Sequence, residues 1–359
     1  MAEEKLDWHT MLISNEKTVY DALSTLDKSF GEVVIVVDEY MHLLGTITDG
    51  DIRRAILRGV ELHDSVTCVM NSKPYHVPNT LHKHEAFVLM RRAVIRQLPI
   101  VDENGRVCGV HTLSTMLDIP SIDNQVIIMA GGLGSRLGEL TKEMPKPMLP
   151  IDGKPILEHV LSEFIDQGFH RFLISVNYKA EIIEQYFGHG ERFGVSIEYL
   201  REDKRLGTAG ALSLLSEIPL QSFIVANGDI LTKLNFPDLL HYHGHHESYA
   251  TMVIREHDYQ IPFGVVETGI QNEILNIHEK PRYTYSVNAG IYCLEPEVLN
   301  YIPKDRYFDM TTLFDVLREH DRHIVAYSLK DYWIDIGRIA DLEKAREEFS
   351  EVFENDRAE

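Results

Sequence analysis

Blocks of apolar residues alternate with blocks of mixed character from residue 126 onward, and they predict strands followed by helices. Residues 126–130 form an uninterrupted apolar run of strand length, and residues 171–176 and 223–226 have the same character. Apolar residues recur at helical spacing over 156–165, between Pro155 and Gly168. This alternation predicts an α/β fold, a mixed and mainly parallel sheet with helices on both faces.

The first 120 residues contain an internal repeat with an offset of 64 residues. Residues 36–45 align with residues 100–109, so that Asp38 matches Asp102. Each copy is predicted to form a helix, a strand, a turn, a strand and a helix. Duplicated units of this size usually pack on each other around one shared core. We therefore predict two domains, residues 1–120 and residues 124–355.

Composition narrows the classes of partner. The chain has 359 residues, 44 % of them hydrophobic, and a formal charge of −21. A strongly acidic protein is a poor match for nucleic acid or an anionic membrane surface, so we expect neither as a partner. The first residues lack the basic and apolar regions of a signal peptide, and no apolar run approaches a membrane span. Three scattered cysteines suit a reducing compartment, so we expect a cytoplasmic protein.

A glycine-rich loop follows the first predicted strand of the second domain. Its glycines are Gly131, Gly132, Gly134 and Gly138. Arg136 lies inside the loop, and Lys146 follows between two prolines. Glycines let backbone N–H groups approach an anion, and fixed cations stabilise charge that shifts during a reaction. The loop therefore suits a reactive polyphosphate.

Three other interpretations of this loop compete with that one. A P-loop needs a Lys-Ser/Thr pair that is missing after Gly138. A dinucleotide fingerprint nearly fits from Gly132, but its third glycine falls one place late. The remaining alternative is a plain tight turn between a strand and the next element.

Residues 130–151 resemble the signature of the sugar-1-phosphate nucleotidyltransferases, and every fixed position of that signature is present. The resemblance implies a Rossmann-like fold and transfer of a nucleotidyl group from an NTP to a sugar 1-phosphate, with release of pyrophosphate. It makes Arg136 and Lys146 the catalytic cations. It implies nucleotide binding by a set of mostly small residues: Ala130, Gly131, Gly132, Gly134, Gly207, Thr208 and Gly228.

The same resemblance implies a magnesium site at Asp229 and Asp335, each of which ends a strand-like segment. Mg²⁺ prefers one or two carboxylates, with waters and phosphate oxygens as its other ligands. Spacing alone proves nothing here, and Asp229 could equally be a turn acid or a helix cap. Thr208 likewise reads either as part of a base-binding loop or as a helix N-cap.

Two further expectations concern the nucleotide and the sugar phosphate. Glu202 and Asp203 occupy a region where uridylyl and thymidylyl relatives often carry Gln. Since a carboxylate only accepts hydrogen bonds and guanine offers adjacent N–H donors, Glu202 favours GTP over UTP or dTTP. By resemblance, the sugar phosphate is bound by Glu279, Lys280, Asn288 and Gly290. The best match is to glucosamine or N-acetylglucosamine 1-phosphate guanylyltransferases of bacterial legionaminic acid biosynthesis, with mannose or heptose 1-phosphate as alternatives.

The repeat resembles a pair of cystathionine-β-synthase-type (CBS) modules. The resemblance implies that Thr48 and Asp51 hold the phosphate or ribose of an adenine nucleotide, AMP or ATP. The second copy has Thr115 where the first has Asp51, so we expect one principal site. The alternative is a pair that serves only for dimerisation. Paired modules of this kind often dimerise, so we expect a homo-oligomer with an even number of subunits.

Two other functions are compatible with parts of the pattern. A non-catalytic sensor of nucleotide sugars would keep the fold without the charged residues, and a dehydrogenase would need a nicotinamide. The histidines at 241, 243, 245 and 246 could suggest zinc, but their spacing reads better as a solvated helix that ends at Gly244.

Overall fold

The computed structural model describes residues 7–28, 33–81, 83–113, 121–132 and 134–354. The chain divides into two compact units, the first chiefly Met1–Pro120 and the second chiefly Ser121–Glu191 and Val195–Phe349. No helix among the described residues is both long enough and apolar enough to cross a lipid bilayer.

The first unit contains two small sheets of identical topology. The strands are β1 (Leu12–Ser14), β2 (Val34–Val37), β3 (Leu43–Ile47), β4 (Val77–Pro78), β5 (Gln97–Val101) and β6 (Val107–Thr112), and the helices are α1 (Val19–Lys28), α2 (Asp49–Leu57) and α3 (Lys83–Ala93). In each sheet the first strand runs parallel to the second, and the third is antiparallel to it. The predicted repeat is thus present in the structure. The last predicted helix of the second copy, with Thr115, lies outside the described residues.

The two copies meet around a pseudo-twofold axis. Leu43 N–H donates to the carbonyl of Gly105 at 3.1 Å, and Val107 N–H donates to the carbonyl of Met41 at 2.9 Å. Leu43 and Val107 are equivalent positions of the two copies, 64 residues apart, and so are Met41 and Gly105. Each hydrogen bond is therefore the counterpart of the other. Beside them, Ile35 and Val37 of β2 pack against Val107 of β6 in one buried cluster. The repeats therefore share apolar surface, as their sequence pattern predicts.

The second unit is built on a seven-stranded sheet of order β11-β10-β7-β12-β17-β14-β18. Its strands are β7 (Val126–Met129), β10 (Arg171–Val176), β11 (Ser196–Arg201), β12 (Phe223–Asn227), β14 (Ala250–Gln260), β17 (Arg282–Leu294) and β18 (Ile324–Leu329). Short two-stranded ladders are formed by β8 (Pro150–Ile151) with β9 (Lys154–Pro155), β13 (Ile230–Thr232) with β19 (Trp333–Asp335), and β15 (Val265–Thr268) with β16 (Ile274–His278). β17 is antiparallel to both of its neighbours, whereas the other four pairings are parallel. The predicted mixed, mainly parallel sheet is confirmed.

Helices cover both faces of this sheet. They are α4 (Leu140–Glu143), α5 (Ile156–Asp166), α6 (Ala180–Phe187), α7 (Gly207–Gly210), α8 (Phe236–His245), α9 (Met310–Glu319) and α10 (Ile339–Phe349). Ile127 and Val225 share a core cluster with Leu313 of α9. On the opposite face, Phe164 of α5 meets Phe172 of β10 with ring centroids 6.3 Å apart. Successive strand residues point to opposite faces, so each strand supplies both cores.

The helix predicted over 156–165 corresponds to α5, which ends at Asp166. Gly168 follows with φ of 98°, a conformation that favours glycine and ends the helix. The histidine-containing helix, α8, runs through Gly244 to His245, one residue beyond the predicted end.

The predicted solvated character of the histidines fails at His243. Its side chain is buried, and its ring nitrogens hydrogen-bond with Thr251 at 2.7 Å and Glu295 at 3.0 Å. A neutral ring fits both partners, since one nitrogen donates to the carboxylate and the other accepts from the hydroxyl. His243 thus ties α8 to β14.

Candidate active site

A cavity of about 350 Å³ lies at the carboxyl ends of β7 and β12. These strands are parallel neighbours, so residues that follow them meet at one edge of the sheet. The cavity is lined by Met129, Gly131, Gly132, Arg136, Glu202, Arg205, Gly207, Thr208, Asn227, Asp229, Tyr307 and Asp309. Several residues from distant parts of the sequence therefore share one wall.

The glycine-rich loop is fastened to the segment that carries Lys146. Gly134 has φ of 63°, and a Cβ built on it would lie 2.9 Å from both Lys146 Cβ and Thr141 Cγ2. The Thr141 hydroxyl also lies 3.1 Å from the carbonyls of Gly134 and Gly138. Only glycine fits position 134 without displacing the lysine segment.

The loop continues into a single 3₁₀ turn, Ser135–Leu137. P-loops and dinucleotide sites both place a long helix directly after the loop, with its N-terminus at the phosphates. That helix is missing among the described residues here, which argues against both alternatives. Leu133 lies outside the described residues.

Lys146 is a buried cation paired with two carboxylates. Its side chain is 9 % exposed, and its ammonium forms an ion pair with Asp229 and lies 3.9 Å from Asp335 Oδ1. A 3₁₀ turn, Lys146–Met148, follows Pro145 and contains Pro147, so the backbone around the lysine is restricted. The ammonium thus lies next to Asp229, which lines the cavity.

Asp229 and Asp335 are brought together by a short ladder. Asp335 ends β19 and pairs with Ile230, the first residue of β13, while Ile336 N–H donates to the Asp229 carbonyl at 3.0 Å. Asp229 precedes a strand, so it is not a helix cap. The Oδ1 atoms of both carboxylates are buried and find no hydrogen-bond partner among the described residues.

This environment raises the pKa of Asp335. Burial is the main cause and the nearby charge of Asp229 adds to it, whereas Lys146 and Arg136 act in the opposite direction. Two carboxylates with unsatisfied buried oxygens form an oxygen-only donor set. No cluster of three or more His, Cys, Asp or Glu suited to a metal occurs within the described ranges. A pair is nevertheless the number that Mg²⁺ commonly uses.

Arg136 lies near Asp335. A Cβ built on Gly337 would lie 3.4 Å from Arg136 Nη1 and 3.7 Å from Asp335 Oδ1. Gly337 therefore leaves room for the guanidinium next to Asp335. The sequence shows this glycine directly after the second strand-like segment, but nothing in its position indicates that an arginine lies against it.

Glu202 borders the cavity in a fixed orientation. Ser175 Oγ donates to its Oε1 at 2.6 Å, and Leu206 N–H donates to its Oε2 at 3.1 Å. A Cβ on Gly131 would lie 2.7 Å from Oε1, so the absence of a side chain there leaves the carboxylate in place. Each carboxylate oxygen keeps a further lone pair for another donor.

The loop at Gly207–Gly210 is held from the side by residues 308–310. The N–H groups of Ala209 and Gly210 donate to the Phe308 carbonyl at 3.0 and 2.8 Å, and Thr208 N–H donates to Asp309 Oδ1 at 3.1 Å. These three donors are therefore not left for a nucleobase. The N-cap residue of α7 is Leu206 and not Thr208. The Thr208 hydroxyl instead accepts from Met310 N–H, at the start of α9.

Sequence reasoning missed several residues of the cavity wall, namely Arg205, Asn227, Tyr307 and Asp309. Tyr307 donates to Asp309 Oδ2 at 2.8 Å, and this acceptor raises the pKa of the tyrosine. Asp309 stands just before a helical pattern, which signals a helix N-cap at most. Only the folded chain shows that this segment reaches the cavity.

Some predicted nucleotide and sugar residues do not line the cavity. Ala130 and Gly228 are buried, and Gly228 N–H donates to the Met129 carbonyl at 2.9 Å. Glu279 and Lys280 lie exposed in the turn between β16 and β17. The structure does not bring this turn to the cavity wall.

Asn288 and Gly290 lie at an irregularity where β17 pairs with β14. Asn288 donates to Tyr292 Oη at 2.7 Å and accepts from Gly290 N–H at 2.9 Å. Gly290 has φ of 72°, and a Cβ there would lie 2.6 Å from Asn227 Nδ2. Both residues thus have local structural roles, next to a cavity residue.

In the first unit, Thr48 and Asp51 bind each other. Thr48 N–H and hydroxyl donate to Asp51 Oδ2 at 2.9 and 2.6 Å, and Arg54 donates to Oδ1 at 2.7 Å. Burial raises the pKa of Asp51, but these hydrogen bonds outweigh it and bring the pKa below its usual value. The arrangement is a capping box at the start of α2.

Known protein families match both parts of the chain. Residues 125–351, more than half of the chain, match the nucleotidyl transferase family model, so the chain belongs to that family. Residues 11–58 and 66–120 match the CBS domain model. The resemblances inferred from the glycine-rich loop and from the repeat are confirmed.

Particular relatives span several nucleotide specificities. The chain is 34 % identical over 240 residues to the UTP–glucose-1-phosphate uridylyltransferase of Synechocystis, covering 62 % of each protein. It is 32 % identical over 221 residues to the mannose-1-phosphate guanylyltransferase of Mycobacterium tuberculosis, covering 60 % of this chain and 62 % of the relative. The chain thus spans about three fifths of the length of such relatives.

Among solved structures, the chain is similar to HddC from Yersinia pseudotuberculosis. The TM-score is 0.50 at 30 % identity, and the match covers 63 % of this chain and 99 % of HddC. A second structure of HddC, in complex with GMP-PN, matches at 29 % identity with the same score and coverage.

Proposed function

We propose that this protein transfers a nucleotidyl group from an NTP to a sugar 1-phosphate, giving an NDP-sugar and pyrophosphate. The observation that carries the proposal is the convergence of charged groups at one cavity. Arg136 and Asp229 border it beside the Gly131–Gly132 backbone, and Lys146 and Asp335 adjoin Asp229. A non-catalytic sensor would have no need for a buried lysine between two acids.

In the proposed reaction, an oxygen of the sugar phosphate attacks the α-phosphorus of the NTP. The new P–O bond forms as the bond between the α-phosphorus and the bridging oxygen breaks, and pyrophosphate takes up that electron pair. Lys146 neutralises charge near the α-phosphate, and Arg136 neutralises the leaving pyrophosphate. Placement by the loop backbone supplies the rest of the catalysis.

We propose Mg²⁺ as the cofactor, held by Asp229 and Asp335. These two residues suit a magnesium ion, because both carboxylates have a buried oxygen without a hydrogen-bond partner among the described residues. The bound cation would supply Lewis-acid stabilisation of phosphate oxygens. The site has room for the water and phosphate ligands that Mg²⁺ requires, since Asp229 faces the cavity.

GTP is the NTP that we favour. The Glu202 carboxylate is fixed at the cavity edge and can accept from the adjacent N1–H and N2–H groups of guanine. The complex of HddC with GMP-PN supports this choice. UTP and dTTP are the alternatives, and a uridylyltransferase is among the relatives.

For the acceptor we propose N-acetylglucosamine or glucosamine 1-phosphate, with mannose and heptose 1-phosphates as alternatives. Glu279, Lys280, Asn288 and Gly290 remain the proposed sugar-phosphate residues. The turn with Glu279 and Lys280 is exposed, so these two residues would have to approach the cavity when substrate binds.

Three free cysteines are consistent with a cytoplasmic location.

The deciding experiment measures pyrophosphate release for every combination of five nucleotides and these sugar phosphates, with Mg²⁺. We expect the fastest release with GTP and an amino-sugar phosphate. Faster turnover with UTP or dTTP would reject the guanine assignment, and no release in any combination would favour a sensor. Nicotinamide-dependent absorbance without pyrophosphate would indicate a dehydrogenase.

We also propose that the first unit binds AMP or ATP at Thr48 and Asp51 and regulates the enzyme. Both side chains are committed to the capping box, so a ligand must share them. Thr18 and Asp21 form the same reciprocal hydrogen bonds at α1. Calorimetry on the full chain should therefore show that T48A weakens adenine-nucleotide binding and T18A does not, although both lose a cap worth about 1 kcal/mol.

Absence of heat with any adenine nucleotide would favour a pair that serves only for dimerisation. We propose an even-numbered homo-oligomer in either case. Light scattering of the full chain tests this, and a mass equal to a single 41.2 kDa chain would contradict it.

A further inference from the structure

The Lys146 side chain is more buried and more closely paired with carboxylates than the binding of an anionic substrate requires. Its side chain is nine-tenths buried, and its ammonium pairs with Asp229 Oδ2 and approaches Asp335 Oδ1. Arg136, the other cation of the site, is exposed. A buried ammonium is costly unless carboxylates surround it, and the two partly exposed carboxylates, each with a buried Oδ1 atom, are stabilised by a nearby cation. Each group thus stabilises the other before any substrate is present.

A divalent cation at this pair would use the same carboxylates. The Oδ1 atoms of Asp229 and Asp335 have no hydrogen-bond partner among the described residues and remain available to it. Lys146 already occupies the other oxygen of Asp229. Positive charges this close repel strongly in a partly buried site. The ammonium and the cation therefore compete for Asp229.

We propose that Lys146 is a built-in counterion of the Asp229–Asp335 pair, and that a divalent cation displaces it from Asp229. The released ammonium then turns toward the cavity, where the anionic nucleotide lies. Metal binding and the positioning of Lys146 are thereby coupled. This inference rests on the proposed metal site.

The test measures Mn²⁺ binding by calorimetry at pH 8, without substrates, for the wild-type protein, K146M and K142M. Lys142 is an exposed neighbour on α4 whose ammonium pairs with Glu139 at 2.6 Å. We expect K146M to bind Mn²⁺ at least about tenfold more tightly than wild type, since it removes the competitor. K142M makes the same charge change and should stay within about twofold.

Equal or weaker Mn²⁺ binding by K146M than by wild type would overturn the competition but leave the proposed metal site intact. Lack of Mn²⁺ binding by every protein, wild type included, would overturn the metal site and the inference together. Near-ultraviolet circular dichroism checks that each variant is folded.

A second measurement needs only the wild-type protein, should K146M fail to fold. Brief acetylation with acetic anhydride, read by mass spectrometry, reports how accessible each lysine ammonium is. We expect saturating Mn²⁺ to raise the labelled fraction of Lys146 at least about twofold relative to Lys142, because an ion-paired ammonium reacts slowly. An unchanged ratio would contradict displacement.

Discussion

Asp229 and Asp335 lie far apart in the sequence, yet Ile336 N–H donates to the Asp229 carbonyl at 3.0 Å, one residue beyond Asp335. The hydrogen bond belongs to the short ladder between β13 and β19, which also pairs Ile230 with Asp335. Main-chain pairing therefore fixes the separation of the two acids before any ligand is present. This pairing sets the spacing of the two acids as part of the fold.

Replacing Asp229 by Asn should abolish metal-dependent turnover while the protein stays folded. The amide keeps the shape of the side chain but loses the charge that holds Lys146 and the proposed cation. We expect pyrophosphate release to fall by at least about 100-fold. D331N removes an exposed carboxylate ahead of β19 and should leave the rate unchanged. A D229N rate close to wild type would remove Asp229 from the metal site.

Gly134→Ala should lower kcat by at least about tenfold, because the new Cβ meets Lys146 Cβ and Thr141 and shifts the lysine segment. Gly153→Ala is the matched control, because Gly153 has φ of 72° and a Cβ added there would have no atom within 4 Å. Both variants should lose about 1 kcal/mol in free energy of unfolding from the backbone conformation. Equal kcat values for the two variants would show that the contact at Gly134 does not position Lys146.

Asp309→Ala should raise the KM for the nucleotide about tenfold with a smaller effect on kcat. The carboxylate accepts from Thr208 N–H, and its loss loosens the loop at the cavity edge. Asp309→Asn keeps an acceptor oxygen and should restore most of the affinity. Asp305→Asn, which alters only an exposed pair with Lys204, serves as the control. Initial rates measured at varied NTP concentrations give the KM of each variant. A KM for D309A equal to that of D305N would contradict the prediction.

Acid should destabilise the second unit partly through His243. Burial lowers the pKa of this histidine, and Glu295 opposes the shift without reversing it. The unfolded state therefore binds a proton more readily than the folded state. Stability from this residue is present above about pH 6.5 and is lost as the pH falls below it.

The measurement is the free energy of unfolding of His243→Asn and wild type between pH 8 and pH 5. The loss of stability on acidification should be smaller in H243N. His241→Asn changes an exposed histidine of the same helix and should retain the wild-type pH dependence. Parallel pH profiles for all three proteins would exclude His243 as the cause.

The sequence by itself determined several of the elements and the family to which the chain belongs. Apolar runs and helical spacing predicted β7, β10, β12 and α5, because these patterns reflect which faces are buried. The duplicated segment predicted two similar sheets for the same reason. The glycine-rich string predicted the family, since its glycines and cations are close together in the chain and their spacing is the signal.

Only the tertiary structure decided how distant segments meet. Three features depend on pairing between segments that are distant in the sequence. They are the ladder that joins Asp229 to Asp335, the space that Gly337 leaves for Arg136, and the hydrogen bonds of the Gly207–Gly210 loop with Phe308 and Asp309. Burial of His243 depends on which face of α8 meets the sheet. Local patterns carry no information on such contacts, because burial of apolar surface over the whole chain selects them.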